Sequence, residues 1–351
     1  MRWLALFLTL AVSVNMPSVL ASPLESALSK AATGDFKSAV ALLTPLAEEG
    51  NSAAQYNLGA IYYSGKLGVP DSFKAIELFV AAAEAGHIEA AHNLGYIFYM
   101  GAGAERDLKK AFKWFSQAAT AGHVDSQVSL AALYVNGQGV KKNIKTAANW
   151  FEKAAEKNNM QAAYNLGIIL SSGEGVEKDY NNAKKWLISA AEKGHVKAQF
   201  YLGNLYLNGR GGKADPVIAQ QWYNKAAEKG HVEAQYALGM LNFIGVDGQP
   251  DYEASLAMFS KSAKGWDRDA QYYLGHHHFY GLGVAKDTME AYKWFDLSAA
   301  SGHSDAHYMR ALVAHELTEK QVETAHKAAL HWFDANHDNP HKHYDLKPHG
   351  H

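Results

Sequence analysis

Histidine is the residue type in this sequence best suited to chemistry, since it occurs 18 times in 351 residues while cysteine is absent. The C-terminal segment 337–351 is the densest in histidine and contains two His-x-His pairs. Neutral imidazole binds zinc, copper or nickel, and the segment has too little apolar content to fold. It predicts a disordered tail, either simply solvated or able to bind one of these metals through His337, His341, His343, His349 and His351.

Three more histidines, His276, His277 and His278, are consecutive. Adjacent residues on a helix point in different directions, so the three cannot converge on one metal ion. His277 nevertheless occupies a position that is isoleucine or leucine in the repeats described below. A histidine there needs a hydrogen-bond partner to be stable, and it could mark a metal site or a pH-sensitive site.

The features that enzymes need are scarce. The absence of cysteine excludes disulfides, thiolate zinc sites and cysteine nucleophiles. No G-x-S-x-G or H-E-x-x-H motif occurs, and no nucleophile stands beside a base. We therefore name no catalytic residue and no cofactor, and we predict that the protein is not an enzyme. The net charge of -2 provides no basic surface for nucleic acid, so we expect no nucleic-acid partner.

Most glycines and carboxylates belong to a repeat of 36 residues, which we number from the second residue of a Leu-Gly pair, position 0. Position 0 recurs without insertion at Gly59, Gly95, Ala131, Gly167, Gly203, Gly239, Gly275 and Ala311. A fixed period of this length is typical of repeat proteins, in which each unit buries its apolar face only by stacking on its neighbours.

Each repeat predicts two helices. Apolar residues at helical spacing surround position 0, and a glycine at position +6 ends this first helix. Aspartate or asparagine at position +12 caps the second helix, whose buried stripe carries alanine at +16 and a large apolar residue at +20. We therefore predict an all-α fold, a right-handed superhelical solenoid of antiparallel helix hairpins. A histidine recurs at the turn after the second helix, which indicates a local role there: His87, His123, His195, His231 and His303.

The segments outside the repeats have separate roles. Residues 1–21 have a positive start, an apolar run too short to cross a bilayer and small residues before Ser22, which predict a signal peptide cleaved after Ala21. The mature protein is then periplasmic or secreted and not inserted in a membrane. We expect an N-terminal capping half-repeat over 22–50, seven repeats over 51–302, and C-terminal capping helices over 303–336. The last helix begins with a capping box at Thr318.

Several segments together resemble the Sel1-like repeat family, a branch of the tetratricopeptide-like α-solenoids. They are AQYNLGAIYYSG from Ala54, GEGVEKDYNNAKKWLISAAEKGH from Gly173 and GLGVAKDTMEAYKWFDLSAASGH from Gly281. The resemblance implies an adaptor or scaffold that binds a protein or peptide on the concave face lined by first helices. It leaves a second possibility, an envelope hydrolase of β-lactams or peptidoglycan or a direct regulator of one. A third is a periplasmic metal-binding protein that uses the histidine-rich tail.

Aromatic side chains recur on the first helices at positions −3, +1 and +4, which should lie away from the hairpin core. Such side chains concentrate binding energy in protein interfaces. At position −3 the alternative is that a recurring ring packs adjacent repeats together. The residues predicted to contact the partner are Tyr56, Tyr63, His92, Tyr96, Tyr99, Tyr164, Phe200, Tyr236, Phe243, Tyr272, His276 and Phe279.

Overall fold

The computed structural model describes residues 21–246 and 248–336. The described part of the chain is all-helical, with 18 helices in consecutive pairs and no strand, as predicted. The signal peptide predicted over residues 1–21 lies outside the described residues except for Ala21. The predicted metal ligands of the tail, at 337–351, also lie outside them.

The chain forms two compact units, which divide after Lys178. The first unit contains α1 (Pro23–Ala32), α2 (Phe36–Glu48), α3 (Ser52–Ser64), α4 (Ser72–Glu84), α5 (Ile88–Met100), α6 (Leu108–Thr120), α7 (Val124–Asn136), α8 (Ile144–Glu156) and α9 (Met160–Ser172). The second contains α10 (Tyr180–Glu192), α11 (Val196–Leu207), α12 (Pro216–Glu228), α13 (Val232–Ile244), α14 (Tyr252–Lys264), α15 (Arg268–Tyr280), α16 (Thr288–Ala300), α17 (Ser304–Ala314) and α18 (Glu319–Ala335).

The helices begin and end where the repeat chemistry requires. In each of the seven repeats, the side chain at +12 caps the second helix by accepting a hydrogen bond from a backbone N–H, as predicted. These caps are Asp71, Asp107, Asn143, Asp179, Asp215, Asp251 and Asp287. The glycine at +6 ends most first helices in the left-handed conformation, for example Gly101 at φ +72°. Only a residue without a Cβ adopts that conformation at little cost.

The recurring histidines cap the first helices. In each, Nδ1 accepts a hydrogen bond of 3.1–3.3 Å from the backbone N–H three residues later: His87, His123, His195, His231 and His303. The predicted role at the turn is therefore confirmed. Because Nδ1 accepts, the proton of the neutral ring lies on Nε2. Burial also lowers the pKa of His87, His123, His195 and His231, which favours this neutral form.

At position 0 the first helix packs tightly against the second helix of its hairpin. A Cβ added to Gly95 would lie 2.5 Å from the ring of Phe115, the residue at +20 of the same repeat, and one added to Gly275 would lie 2.6 Å from Phe295. The ring thus fills the space that a side chain would need. Ala131 departs from the rule and is fully buried.

Buried glutamines join successive repeats, a feature that the sequence analysis missed. Gln127 and Gln235, at position −4 of their first helices, donate Nε2 hydrogen bonds of 3.2 Å to Ala119 O and Ala227 O. Each acceptor lies in the last turn of the preceding second helix, where carbonyl groups lack helical partners. The only sequence signal is the recurrence of glutamine at one offset.

The last two helices, α17 and α18, do not form a hairpin like those of the repeats. α18 has the predicted capping box at Thr318, but it packs mainly against α16 and not against α17. The buried carboxylate of Asp296 on α16 accepts hydrogen bonds from Arg310 on α17 (2.7 Å) and His326 on α18 (2.6 Å). This cluster joins the three helices. No helix of the described residues is both long enough and apolar enough to cross a membrane.

Candidate functional site

The aromatic rings at position −3 pack against the next repeat. The ring of Tyr56 stacks on His87 with centroids 4.4 Å apart, and the ring of Tyr272 stacks on His303 at 4.3 Å. The pairs Phe200–His231 (4.8 Å) and His92–His123 (4.3 Å) repeat the arrangement. Each ring therefore covers the imidazole that caps the following first helix. Tyr164 and Tyr236 occupy the same position and are also half-buried. These contacts agree with the alternative in which a recurring ring at −3 packs adjacent repeats together.

The aromatic residues at position +4 contribute to packing between repeats. The hydroxyl of Tyr63 donates a 3.0 Å hydrogen bond to Ala102 O in the loop of the next repeat, and that of Tyr99 lies 3.5 Å from Gln138 Oε1. Phe243 is half-buried between Tyr252 and Tyr273. The prediction that all twelve residues lie away from the core is wrong for Phe279, which is 8% exposed and packs with the apolar residues of α16 and α17.

The residues at position +1, Tyr96 and His276, lie on a side of the first helices that stays partly open. The residues at −2 and +5 share this side because these offsets fall on one helical face. We call this surface, positions −2, +1 and +5 of each first helix, the open face. Of these three positions, only +1 was predicted from the sequence to contact a partner.

In the first unit the open face is mainly polar. Its amide and hydroxyl side chains are Asn57, Ser64, Asn93, Ser129, Asn136, Asn165 and Ser172, with Tyr96, Met100, Ala132 and Ile168 between them. Two of these groups already have partners inside the protein: Asn57 Nδ2 donates to Ala53 O of its own helix at 2.7 Å, and Asn93 Nδ2 lies 3.5 Å from the Tyr56 hydroxyl of the preceding repeat. The surface offers short polar groups and few large apolar anchors.

In the second unit the open face becomes aromatic and apolar toward the C-terminal repeats. It consists of Tyr201, Asn204, Asn208, Ala237, Met240, Ile244, Tyr273, His276 and Tyr280. Ile244 is 63% exposed and Tyr280 is 57% exposed, both at position +5. The aromatic runs Tyr272-Tyr273 and Phe279-Tyr280 were the available sequence signal.

His276 acts as an aromatic ring within this surface. It lies edge-on to Tyr272 at 4.5 Å and stacks on Tyr280 at 5.6 Å. Burial, together with the neighbouring His277 and His303, lowers the pKa of His276 to about 4. The ring is therefore neutral at neutral pH, and it extends the apolar surface without adding charge.

Acidic side chains border the aromatic part of the open face. Glu233 and Asp269 both lie at position −6 of their first helices, where Glu233 is exposed and Asp269 is half-buried. Asp269 Oδ1 lies 3.6 Å from His303 Nε2, and Glu233 Oε2 lies 3.2 Å from His231 Nδ1. An apolar centre with a charged rim is the usual composition of a protein-binding surface.

His277 is a structural residue by its contacts. It is fully buried, its Nδ1 donates to Leu282 O at 2.7 Å, and its Nε2 lies 3.1 Å from the hydroxyl of Ser255. Ser255 is itself the one exception to alanine at +16, so the two departures from the repeat form one pair. Within residues 21–246 and 248–336, no group of three potential ligands is placed to hold a metal ion.

Comparisons with known proteins agree with this architecture. A solved structure of a Sel1 repeat protein from Oxalobacter formigenes is 26% identical, with a TM-score of 0.64, and covers 86% of this chain and 98% of that chain. The structure of a protective antigen present in uropathogenic Escherichia coli strains, which displays an SLR fold, is 27% identical, with a TM-score of 0.57. It covers 89% of this chain and 76% of that one. No curated protein matches this sequence.

The model of the Sel1 repeat matches seven successive segments: residues 52–87, 88–123, 124–159, 161–195, 196–231, 232–265 and 268–303. Sel1 repeats generally mediate protein–protein interactions. The matched segments account for more than half of the chain and correspond to the helix pairs described above. The protein therefore belongs to the Sel1 repeat family.

Proposed function

We propose that this protein is a non-enzymatic adaptor that binds a protein or peptide partner on the open face of its first helices. The observation that carries the proposal is the aromatic surface of the second unit, where Ile244 and Tyr280 are exposed and the half-buried Tyr273 and His276 lie beside them. Large aromatic and apolar side chains of this kind supply most of the binding energy in interfaces. The residues at −3 use their ring faces inside the solenoid, and Tyr273 also stacks one ring face on Phe259 at 5.1 Å.

The rim charges indicate the chemistry of the partner. Glu233 and Asp269 place carboxyl groups beside the apolar centre, and Asp269 Oδ1 also lies 3.7 Å from Arg268 Nε. A partner segment with apolar anchors for Tyr273 and Tyr280 and with basic residues beside them would match both features. Such charge complementarity mainly raises the association rate and the specificity.

The absence of catalysis is part of the proposal. The recurring aspartates and histidines that resemble catalytic groups accept backbone hydrogen bonds as helix caps, and the buried His277 is held by Ser255 and Leu282. A general base must instead reach a substrate. The site of action, the periplasm or the exterior, rests on the predicted signal peptide with cleavage after Ala21.

Capture of partners from an envelope extract tests the proposal. We expect the immobilised mature chain to retain a specific protein that a Tyr273→Ala, Tyr280→Ala double variant does not retain. The matched control is Asn93→Ala, Met100→Ala, which changes the same −2 and +5 positions of α5 in the first unit. Equal capture by both double variants would contradict the proposed site. Turnover of a chromogenic β-lactam or of peptidoglycan by the pure protein would favour the hydrolase instead.

A further inference from the structure

The helix α17 is a first helix without a hairpin partner. In the preceding repeat, Gly275 at position 0 lies so close to Phe295 of the second helix that a Cβ would meet the ring at 2.6 Å. After α17 the chain instead enters α18, which packs mainly against α16. The residue at position 0 of α17, Ala311, is accordingly exposed. Within the described residues, the face that a second helix covers in earlier repeats is therefore bare on α17.

The bare face carries apolar and aromatic side chains. Tyr308, at position −3, is 71% exposed, and Leu312, at position +1, is 41% exposed. His315 at position +4 is also exposed. We call Tyr308, Ala311, Leu312 and His315 the α17 stripe. Their spacing places them on one side of the helix.

The preceding repeats show what normally covers such a stripe. Tyr272, the counterpart of Tyr308, stacks on the imidazole of His303 with an angle of 13° between the rings. Tyr56 stacks in the same way on His87, at 17°. Tyr56 and Tyr272 are thus each paired with an imidazole from the next repeat, whereas Tyr236 packs on Tyr273 because the next cap is Asp267. No repeat of the described residues follows α17.

The α17 stripe contains both halves of this pairing. If two α17 helices lie antiparallel with a two-fold axis between Ala311 and Leu312, each Tyr308 faces His315 of the second copy. The two Leu312 side chains then meet near the axis, as do the two Ala311 methyl groups. A two-fold interface requires a surface that is complementary to itself, and this stripe meets that condition.

We propose that the α17 stripe is the interface of a homodimer in which Tyr308 stacks on His315 of the second copy. One short helix from each copy forms a small interface, so the dimer belongs to the weak, concentration-dependent class. The flanking Glu316 is paired with Lys286 at 3.1 Å, which reduces the repulsion between acidic groups of the two copies. The interface uses none of the residues of the proposed partner site, so its failure leaves the adaptor function untouched.

Cross-linking tests the position of the axis. The chain has no cysteine, so a single introduced cysteine forms a disulfide only with a second copy. We expect Leu312→Cys to yield covalent dimer under mild oxidation at least ten times faster than Leu67→Cys. Leu67 is the matched control because it is 39% exposed, against 41% for Leu312. Equal rates for the two variants would overturn the proposal.

Sedimentation of the full-length protein provides a second measurement. We expect a monomer–dimer equilibrium whose dissociation constant rises at least tenfold in Tyr308→Ala and in Leu312→Glu. Because both side chains are exposed, the melting temperature of a dilute sample should not change. A monomer at every accessible concentration would overturn the dimer, and the stripe would then be covered by residues 337–351 or by another protein.

Discussion

The first helices of the two units share one register but present different side chains on the open face. In the first unit positions −2 and +5 are mainly amide and hydroxyl side chains, among them Asn57, Asn93 and Asn165, with Met100 as the large apolar residue. In the second unit the same positions carry Tyr201, Tyr273, Ile244 and Tyr280, with Asn208 and Ala237. The helices are nevertheless of nearly the same length, and all are capped at one register position by histidine, asparagine or aspartate, as by His123, Asn159 and Asp267. Positions of the repeat whose side chains do not hold the helices together are thus free to differ between the two units. We expect the binding function at these positions.

Substitutions of the glycine at position 0 test whether the hairpins of the two units pack in the same way. We expect Gly95→Val in the first unit and Gly239→Val in the second to lower the free energy of unfolding by a similar amount, about 3 kcal/mol. In both cases the added side chain would collide with the ring at +20, Phe115 or Phe259. Chemical denaturation measures the change.

Ala311→Val is the matched control for these substitutions, because it occupies the same register position on the bare side of α17. We expect a change below about 0.5 kcal/mol for this exposed site. If the free energy of unfolding falls strongly for the substitution in one unit and only slightly for that in the other, the hairpins of the two units pack differently despite their common repeat register.

Single substitutions at position +5 test whether the difference in composition is a difference in function. Tyr280→Ala in the second unit should weaken partner binding at least tenfold, about 1.4 kcal/mol or more, as expected for an aromatic anchor. Met100→Ala in the first unit should change it less than about twofold, although Met100 is 55% exposed and Tyr280 57%. Calorimetric titration with the captured partner measures both. A reversed order would assign the partner to the first unit.

The Ser255–His277 pair is a departure found in the second unit. At the equivalent place in the first unit, Ala75 and Ile97 are both buried in one apolar cluster. We expect Ser255→Ala alone to cost about 1 kcal/mol, because it leaves the buried Nε2 of His277 without its hydroxyl partner. The double variant Ser255→Ala, His277→Leu should regain that stability. Additive losses in the double-mutant cycle would contradict the coupling.

The histidine caps should respond to acid in the same way in both units. Burial lowers the pKa of His123 in the first unit and His231 in the second. The unfolded chain therefore takes up protons first, so stability is complete above about pH 6.5 and falls as the pH decreases below it. The effect should not exceed about 1 kcal/mol per cap.

Asparagine is the matched replacement for a histidine cap, because Asn159 caps α9 at the same register position. We expect His123→Asn and His231→Asn each to reduce the fall in melting temperature between pH 7 and pH 5. Scanning calorimetry across this range measures the effect. An unchanged pH profile in both variants would show that other groups cause the acid sensitivity.

Local rules made most of the fold predictable. The caps at +12, the glycines at +6 and the buried rings at +20 each follow from the chemistry of one turn or one hairpin, so their recurrence was enough. The candidate site was less predictable. Positions −3 and +4 are aromatic because they contact the following repeat, as Tyr272 contacts His303 and Tyr63 contacts Ala102. A helical pattern alone does not distinguish a ring packed on a neighbour from a ring left for a partner.

By itself the sequence determined the period, the helix pairs, the family and the role of nearly every recurring glycine, aspartate and histidine, because these depend on interactions within a few residues. Only the tertiary structure decided which aromatic residues remain accessible, that Ser255 and His277 compensate for each other, and that α18 leaves one face of α17 bare. Those outcomes depend on contacts between residues roughly one repeat apart in the chain. Such contacts become visible only when neighbouring helices have a defined position relative to one another.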